Sequence, residues 1–363
     1  MDFRPITDSI NSAVRRVIES GGYRRYSGES CDQLAAELAQ RLGASELVLT
    51  SSGTAAMELA LRGLGVSAGD EVLLSAYDYP GNFWAIERIG ARPVLLDIEP
   101  NSWRISASGL QQIVDDRTRY KALILSHLHG QLQDMASARQ WCDLRGISLV
   151  EDACQGLGAN IAGRPAGSFG HASIVSFGGG KVLSAGRGGA LLTSDAVVAQ
   201  RAKIAAGGGS SPFALSELQA AVVNAQLPWL EQIVTHCRQY FATVVSCLPE
   251  RKRICMPFVD DLVDTAFYQA GFIVADDLVT LSSINTSNLQ SQLIEVLRIA
   301  GIPAGTGFSG FHRRTARRCR HLQPLVHTAN VTACTVTIHH SVAVESQVSA
   351  ELVADTIDRF FRQ

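Results

Sequence analysis

One lysine and one aspartate stand out because each follows an apolar run that is typical of a buried strand. Lys181 lies in a glycine-rich stretch after the apolar run 172–177, and Asp152 follows the apolar run 147–150. Ligands of α/β sheets bind at the carboxyl ends of the strands, so both side chains are expected at the same edge of a sheet. The sequence therefore predicts that an amine and a carboxylate face one pocket.

A lysine and a buried carboxylate that share a pocket suit pyridoxal 5'-phosphate. The lysine forms a Schiff base with this cofactor, and the acid keeps the pyridine nitrogen protonated. Glycines near Lys181 allow the backbone to approach a bound group closely. Taken alone, Lys181 could be an ordinary surface lysine, and Asp152 could be a capping residue after a strand.

A polar turn between a strand and a helix forms a second candidate site. Residues 51–54, Ser-Ser-Gly-Thr, separate an apolar strand that ends at Leu49 from the helix-forming run 55–64. Backbone N–H groups at the start of a helix bind anions. An ordinary N-cap needs only one serine or threonine, so three hydroxyls around a glycine favour a phosphate.

Length and composition describe a globular protein with a sizeable core. The chain has 363 residues, of which 46% are hydrophobic and 18% are charged, with a formal net charge of -2. This length favours one large domain plus a smaller one. The charge gives no sign of a nucleic-acid or membrane partner. The basic cluster 313–320 is a local exception, and such a cluster is usually a solvated face.

The cysteines and the first residues of the chain indicate the compartment. Eight cysteines are scattered without a CxxC motif or a metal-like cluster. The first twenty residues carry charges throughout, unlike a signal peptide, and no run reaches the roughly 18 apolar residues of a membrane helix. We therefore expect reduced thiols in a cytoplasmic protein that holds no metal.

Helical and strand-like patterns alternate through the first part of the chain. Helices are predicted over 6–19, 30–42, 55–64, 106–115 and 134–145, with apolar strand-like runs after most of them. Such alternation implies an α/β fold with a mostly parallel, doubly wound sheet.

The last third of the chain has a different pattern. A helical pattern over 215–247 is interrupted at Pro228, and strands and helices are then predicted over 266–274, 287–300, 333–339 and 346–361. We expect a large cofactor-binding domain over residues 1–235 and a small C-terminal α+β domain over residues 236–363.

Six segments of the chain resemble the sugar aminotransferases of the DegT/StrS type, which are fold-type I enzymes that use pyridoxal phosphate. The matching segments, in family order, are SSGTAAMELALRGLG, GARPVLLDIEPNSWRI, HLHGQLQDM, LVEDACQGLGA, SFGGGKVLSAGRGGALLTSD and SELQAAVVNAQL. A single motif of this kind is weak, whereas six in order over nearly the whole chain are specific. The resemblance implies a homodimer that transfers an amino group, commonly from glutamate or glutamine, to a keto-sugar or ketocyclitol.

The resemblance also implies roles for single residues. Lys181 matches the Schiff-base lysine, which moves the proton during catalysis, and Asp152 matches the acid on the pyridine nitrogen. The remaining matches are Gln155 near the phenolic oxygen, Gly53, Thr54 and Ser176 at the phosphate, Tyr79 stacked on the ring, and Cys154 as a small residue at its opposite face. Cys154 is better explained as a small buried side chain than by redox chemistry.

This chain departs from the family pattern at three places. Gly178, Gly179 and Gly180 precede the lysine where the family often has HP. Arg187 replaces the glutamate of the family's GEGG motif. The family's asparagine-tyrosine-arginine segment, whose asparagine reaches the phosphate of the partner subunit, reads Ser-Pro-Phe-Ala over 211–214. We therefore expect the phosphate contact at Pro212 to be absent.

Histidines offer a few weaker candidates. They lack the i, i+4 spacing of helical metal ligands, and most are expected to be satisfied loop or core residues. His312, in the loop GTGFSGFHRR that starts at Gly305, and His339, at the end of a strand, are candidate substrate contacts.

Three alternatives remain beside a sugar aminotransferase. The dehydratase branch of the family characteristically has histidine in place of the lysine, so Lys181 argues against it. Another pyridoxal-phosphate reaction on a different substrate is left open by the altered 211–214 segment. A non-catalytic relative that serves as a regulatory or scaffold subunit would not need Lys181, Asp152 and the phosphate turn.

Overall fold

A computed structural model describes residues 4–113, 120–208, 211–248, 253–261, 264–275 and 286–362. Helices α1 to α13 span, in chain order, Arg4–Glu19, Glu29–Leu42, Gly53–Gly63, Pro80–Arg88, Ala107–Gln111, Met135–Arg145, Ala196–Ala206, Glu217–Gln226, Leu230–Cys247, Thr286–Ile299, Val326–Cys334, Ser341–Val344 and Ala350–Arg362. Strands β1 to β14 span Glu46–Thr50, Glu71–Ser75, Arg92–Leu96, Tyr120–Ser126, Ser148–Asp152, Asn160–Ile161, Arg164–Pro165, Ala172–Ser176, Gly189–Thr193, Ile254–Cys255, Gln269–Val274, Ala304–Gly305, Arg320–His321 and Thr335–His339.

Eight strands form a large sheet in the order β1-β9-β8-β5-β4-β2-β3-β13. β9 is antiparallel to its neighbours β1 and β8, and the other adjoining strands pair in parallel. The central strands β2, β4, β5 and β8 are almost wholly buried. Strands that are covered on both faces need continuous apolar runs, which is why these segments were recognisable in the sequence. The prediction of a mostly parallel α/β sheet is confirmed.

A second sheet of four strands has the order β10-β11-β14-β12, and its pairs are antiparallel. Helices α9, α10 and α13 bury apolar side chains against it, with Phe241, Leu293, Val336 and Ile357 in one continuous core. The expected boundary between residues 235 and 236 lies inside α9. The division into two domains stays a prediction.

Three elements differ from the sequence-based expectations. The run 333–339 was predicted as a strand, but its first two residues close helix α11, and β14 begins at Thr335. The predicted strand over 266–274 begins at Gln269. β13, from the C-terminal third of the chain, pairs with β3 at the edge of the large sheet. The pairing of β13 with β3 joins residues that are far apart in the sequence, so local patterns did not reveal it. Residues 114 and 115 of one predicted helix lie outside the described residues.

Strand β5 ends in two acids that point to opposite faces of the sheet, as successive strand residues do. Glu151 is completely buried, and its carboxylate accepts hydrogen bonds from the N–H groups of Gly167, Phe169 and Gly170 at 2.6, 2.8 and 3.1 Å. His127 donates to the same carboxylate from Nε2 at 3.1 Å. Glu151 thereby fixes the loop that leads into β8.

The electrostatics of Glu151 follow from these partners. Burial alone would raise the pKa of Glu151, but the hydrogen bonds from His127 and from backbone N–H groups outweigh burial and lower the pKa below its ordinary value. The ionised carboxylate is thus part of the folded state.

In the part of the chain that the structure describes, no helix combines the length and the apolar character needed to cross a membrane.

We predict that Glu151→Gln destabilises the fold at neutral pH, because an amide turns a donor toward buried N–H groups that need an acceptor. Leaving such groups unsatisfied costs about 1–3 kcal/mol each. Urea denaturation measures the loss. Glu46→Gln is the matched control, because it breaks an exposed ion pair with Lys203 that is worth about 0.2–1 kcal/mol.

The pH dependence provides a second check on Glu151. A depressed carboxyl pKa gives stability that is present above the unfolded pKa, about 4.3, and is lost as the pH falls through the folded value. The difference in stability between wild type and Glu151→Gln should therefore shrink below about pH 4. An equal difference at acid and neutral pH would contradict this account.

Candidate active site

A cavity of about 290 Å³ opens at the carboxyl ends of β4, β5 and β8, beside the starts of α3 and α4. All eight residues that the resemblance assigns to the cofactor line it. The lining comprises Ser52, Gly53, Thr54, Tyr79, Asn82, His127, Leu128, Asp152, Cys154, Gln155, Ile174, Ser176, Gly178, Gly179, Lys181, Gly186, Arg187, Tyr268, Gln269 and Phe308.

Asp152 is the last residue of β5, and its carboxylate is held at both oxygens. Oδ1 accepts the N–H of Cys154 at 2.9 Å, and Oδ2 accepts from Nδ2 of Asn82 at 2.8 Å. The side chain is 4% exposed. A carboxylate fixed in this way at a cavity wall can hold a positively charged N–H group of a ligand.

Lys181 lies in the loop between β8 and β9, is half-buried, and lines the cavity. Its Nζ lies 3.9 Å from the ring centroid of Tyr268, which precedes β11 of the second sheet. Burial lowers the pKa of Lys181, and Cys154 and Asp152 oppose this shift only in part. A desolvated lysine with a lowered pKa is a better nucleophile toward a carbonyl carbon.

The start of α3 forms an anion site, by which we mean the N–H groups of Gly53 and Thr54 and the hydroxyls of Thr54 and Ser176. Ser52 caps the helix by accepting the N–H of Ala55 at 3.0 Å, so the first N–H groups of the helix remain for a ligand. Ser176 accepts from Gly178 at 3.2 Å, which leaves its hydroxyl proton to be donated.

Gly53 cannot carry a side chain at this place. A Cβ there would lie 2.9 Å from Sγ of Cys154 and 3.1 Å from Cβ of Ser176, which is closer than carbon atoms normally approach. Because Gly53 has no side chain, the start of α3 packs directly against Cys154 and Ser176, which line the cavity.

The 211–214 segment, where a phosphate contact was expected to be absent, packs against the polar turn of its own chain. Ser51 donates its N–H to the carbonyl of Phe213 at 2.7 Å and its hydroxyl to the carbonyl of Pro212 at 2.8 Å. The hydroxyl of Ser51 is thus used to hold this segment, and Thr54 and Ser176 supply the hydroxyls of the anion site.

Aromatic side chains form one wall of the cavity. Tyr79 is 43% exposed, and its ring centroid lies 5.8 Å from that of Phe308, which belongs to the loop that begins at Gly305. Gly81 makes room for Tyr79, because a Cβ there would lie 2.3 Å from Cε1 of that ring. On the other side, Gln155 accepts the N–H of His129 at 3.0 Å through Oε1.

The two histidines proposed as substrate contacts are not among the cavity-lining residues. Nε2 of His339 donates to the carbonyl of Gly180 at 3.0 Å, and Nδ1 contacts the hydroxyl of Ser341 at 2.9 Å. His339 therefore braces the backbone next to Lys181. His312 lies near Gly310, and its buried Nδ1 has no partner among the described residues.

Several residues of the site were missed by the sequence analysis. Asn82 and Asp78 follow β2 just as Asp152 ends β5, so their position after an apolar strand was a usable signal. Ser126 ends β4 and offered a similar signal. Tyr268 comes from the second sheet, and no local pattern connects it to Lys181.

The residues present fit pyridoxal phosphate. A half-buried amine, a buried carboxylate and an anion site lie around one cavity, and the missing side chain at Gly53 keeps the start of α3 close to Cys154 and Ser176. Burial raises the pKa of the Cys154 thiol well above its ordinary value, so Cys154 stays neutral and serves as a small packing group.

Comparisons with known proteins agree with this arrangement. The sequence profile of the DegT/DnrJ/EryC1/StrS aminotransferase family matches residues 5–357. The erythromycin biosynthesis sensory transduction protein EryC1 of Saccharopolyspora erythraea is 31% identical over 304 residues, which are 80% of this chain and 79% of EryC1.

Two further proteins extend the comparison. The putative L-glutamine:3-amino-2,3-dideoxy-scyllo-inosose aminotransferase of Streptomyces kanamyceticus is 38% identical over 161 residues, which are 44% of this chain and 38% of that protein. The crystal structure of S. venezuelae DesV superposes with a TM-score of 0.86 and 25% identity, covering 99% of this chain and 96% of DesV.

We predict that Gly81→Ala weakens the binding of pyridoxal phosphate roughly tenfold, because the new methyl group would lie 2.3 Å from Cε1 of Tyr79 and 2.6 Å from Oγ1 of Thr54 and so displaces both side chains from the cavity wall. Overpacking of this kind costs about 1–3 kcal/mol. Alanine is the better helix former, so the helix itself should not suffer. Fluorescence titration of the cofactor-free protein measures the affinity. Gly208→Ala is the matched control, because a Cβ there meets no atom within 4 Å. Unchanged affinity in Gly81→Ala would refute the role of Tyr79.

Proposed function

The chain belongs to the DegT/DnrJ/EryC1/StrS aminotransferase family, and we propose that it transfers an amino group from glutamate or glutamine to a ketone carbon of a sugar or cyclitol in a biosynthetic pathway. Its enzyme class is that of the pyridoxal-phosphate-dependent transaminases. The observation that carries the proposal is the meeting of Lys181, Asp152 and the anion site at one cavity.

When bound, pyridoxal phosphate supplies an aldehyde that takes up the amino group and a ring that accepts electron density. In our proposal Asp152 holds a proton on the ring nitrogen, and the N–H of Cys154 and the amide of Asn82 keep its carboxylate in place. Because Asp152 is buried, few water molecules compete for that proton.

Lys181 is the proton carrier in this proposal. Its Nζ is nucleophilic because burial lowers its pKa, and once free it can take a proton from one carbon and return it to another. The ring of Tyr268 packs against Nζ and restricts the positions that the amine can take. Among the described residues, no carboxylate forms an ion pair with Lys181.

In our proposal the anion site binds the phosphate group of the cofactor. The N–H groups of Gly53 and Thr54 stand at the positive end of the α3 dipole, and the hydroxyls of Thr54 and Ser176 add two hydrogen-bond donors. These are the residues we propose for the phosphate, together with Tyr79 and Gln155 at the ring.

The names of relatives support the class of donor and acceptor. The relative from Streptomyces kanamyceticus is named for L-glutamine and an amino-dideoxy-scyllo-inosose, which supports an amino acid donor and a polyhydroxylated ring as acceptor. Arg187 and Gln269 line the cavity and offer hydrogen-bond donors to such hydroxyl groups.

A regulatory role is the second candidate, because the relative from S. erythraea is named as a sensory transduction protein. A purely regulatory subunit has no use for a desolvated lysine beside a held carboxylate. The structure of this cavity therefore favours catalysis over regulation.

We predict that Lys181→Ala abolishes amino transfer, with a loss of at least about 10³-fold, because no other described amine reaches the cavity. Formation of the 2-oxo acid from glutamate or glutamine measures activity. Borohydride should fix the cofactor on Lys181 in the wild type, as peptide mass spectrometry can report. Lys203→Ala, at an exposed ion pair, is the control.

Two outcomes of that experiment would decide against the proposal. Turnover by Lys181→Ala at the wild-type rate would reject Lys181 as the reactive amine. A wild-type protein that binds the cofactor but converts neither donor would point to a different reaction or to the regulatory role.

We propose that the protein works as a homodimer in the cytoplasm. The dimer rests on the family resemblance and on the exposed apolar side chains Ile18, Tyr23 and Tyr26 near the start of the chain. The eight cysteines form no disulfide in the described structure, which supports a reducing compartment. Sedimentation velocity of the purified protein should give twice the chain mass, and a single-chain mass at micromolar concentration would contradict the dimer.

A further inference from the structure

A second carboxylic acid lies behind Asp152, on the side away from the cavity. Asp78 is 0% exposed and Asp152 is 4% exposed. The hydroxyl of Ser126 stands between them, 2.9 Å from Oδ2 of Asp78 and 3.4 Å from Oδ2 of Asp152. Nδ2 of Asn82 lies 3.2 Å from Oδ1 of Asp78 and 2.8 Å from Oδ2 of Asp152.

The two buried carboxylates share two donors, the hydroxyl of Ser126 and the amide of Asn82. Ser126 has a single hydroxyl proton, so it can donate to Asp78 or to Asp152 but not to both. No described lysine or arginine forms a hydrogen bond or ion pair with Asp78. Two like charges that share buried donors strongly resist joint ionisation. The pair therefore holds one negative charge and one proton.

The position of each acid relative to the cavity decides which of the two is ionised. Asp152 lines the cavity, faces the positive groups that enter it, and accepts from both Asn82 and the N–H of Cys154. Asp78 lines no part of the cavity, and its Oδ1 already accepts the N–H of Tyr79 at 2.6 Å. The proton therefore belongs on Oδ2 of Asp78, where it can be donated to the Ser126 oxygen.

The ionisation of Asp78 agrees with this assignment. Burial, and after it the charge of Asp152, raise the pKa of Asp78 to about 8, against the opposing hydrogen bonds from Ser126, Tyr79 and Asn82. The other titratable group that faces Asp78 is the thiol of Cys154, whose pKa is raised, so it is neutral.

We propose that Asp78 is a positioning residue: a neutral carboxylic acid that donates to Ser126, turns the Ser126 hydroxyl toward Asp152, and so keeps the single negative charge of the pair on Asp152. This inference rests on the proposed function, in which Asp152 holds the proton of the ring nitrogen. Loss of the Asp78 proton would draw the Ser126 hydroxyl back to Asp78. It would also place a second negative charge behind a ring that must accept electron density.

The test compares the wild type with Asp78→Asn, whose amide keeps the shape and a donor toward Ser126 but cannot ionise. Infrared spectra on either side of pH 8 should contain the carbonyl band of a protonated carboxylic acid in the wild type below that pH only. The band should be missing in Asp78→Asn and retained in Asp134→Asn, a control at an exposed helix cap. A wild-type protein without this band would overturn the proposal.

Thermal unfolding at several pH values gives a second readout that a merely structural aspartate would not produce. A folded pKa above the unfolded value of about 3.9 means that the native state binds the extra proton, so wild-type stability falls as the pH rises between the two values. Relative to Asp78→Asn, the folded-to-unfolded ratio of the wild type should fall about tenfold per pH unit in that interval. An Asp78 that is ionised in the native state predicts no pH dependence of this ratio in that interval, and a flat ratio would overturn the proposal.

The ring nitrogen reports the coupling to Asp152 directly. With ¹⁵N-labelled pyridoxal phosphate bound, the nitrogen chemical shift of the wild type should change across the titration of Asp78, and that of Asp78→Asn should not. Ser126→Ala should reduce the change, leaving only the direct effect of the Asp78 charge, and should retain the infrared band of Asp78. The infrared and unfolding results do not depend on turnover, so failure of this inference is distinguishable from failure of the proposed function.

Discussion

The removal of Asp152 and Lys181 from water is the constraint on which the rest of the site depends. A buried carboxylate and a buried amine are each costly unless their surroundings compensate. Asp152 accepts hydrogen bonds from Cys154 and Asn82. Its negative charge raises the pKa of the neighbouring Asp78. Nζ of Lys181 packs against the ring of Tyr268 and has no ion-pair partner among the described residues. Burial lowers the pKa of Lys181. In our proposal, the same desolvation that costs stability makes the amine reactive and strengthens the hydrogen bond by which the Asp152 carboxylate keeps a proton on the ring nitrogen.

The two sheets meet this constraint together. The large sheet supplies the acids, since β5 ends in Glu151 on one face and Asp152 on the other. Glu151 fixes the loop before β8, which sets the position of the strand that leads to Lys181. The second sheet closes the opposite side, with Tyr268 over Nζ and His339 bound to the carbonyl of Gly180.

Local sequence patterns were sufficient for the part of the site that lies at strand ends. Asp152 and Lys181 follow continuous apolar runs, and the polar turn before α3 combines glycine with hydroxyls, so their position at one edge of the sheet could be predicted from the sequence. The structure places them around one cavity. Tyr268 and the bracing role of His339 could not be predicted, because they depend on how the second sheet packs against the loop of Lys181. His339 was expected to touch substrate, and its ring nitrogens are occupied within the chain instead.

Two of the departures from the family pattern, the 211–214 segment and Arg187, affect the charges and hydrogen-bond donors near the cavity. The hydroxyl of Ser51 donates to the carbonyl of Pro212, so the backbone of the 211–214 segment is bound to its own chain. Pro212 has no polar side chain that could contact a phosphate. The anion site then relies on the helix start and on two hydroxyls of one chain. Arg187, exposed beside the same cavity, adds a positive charge where the family has a glutamate. We propose that the cavity holds the phosphate by charge and helix dipole and without an amide from a neighbouring subunit.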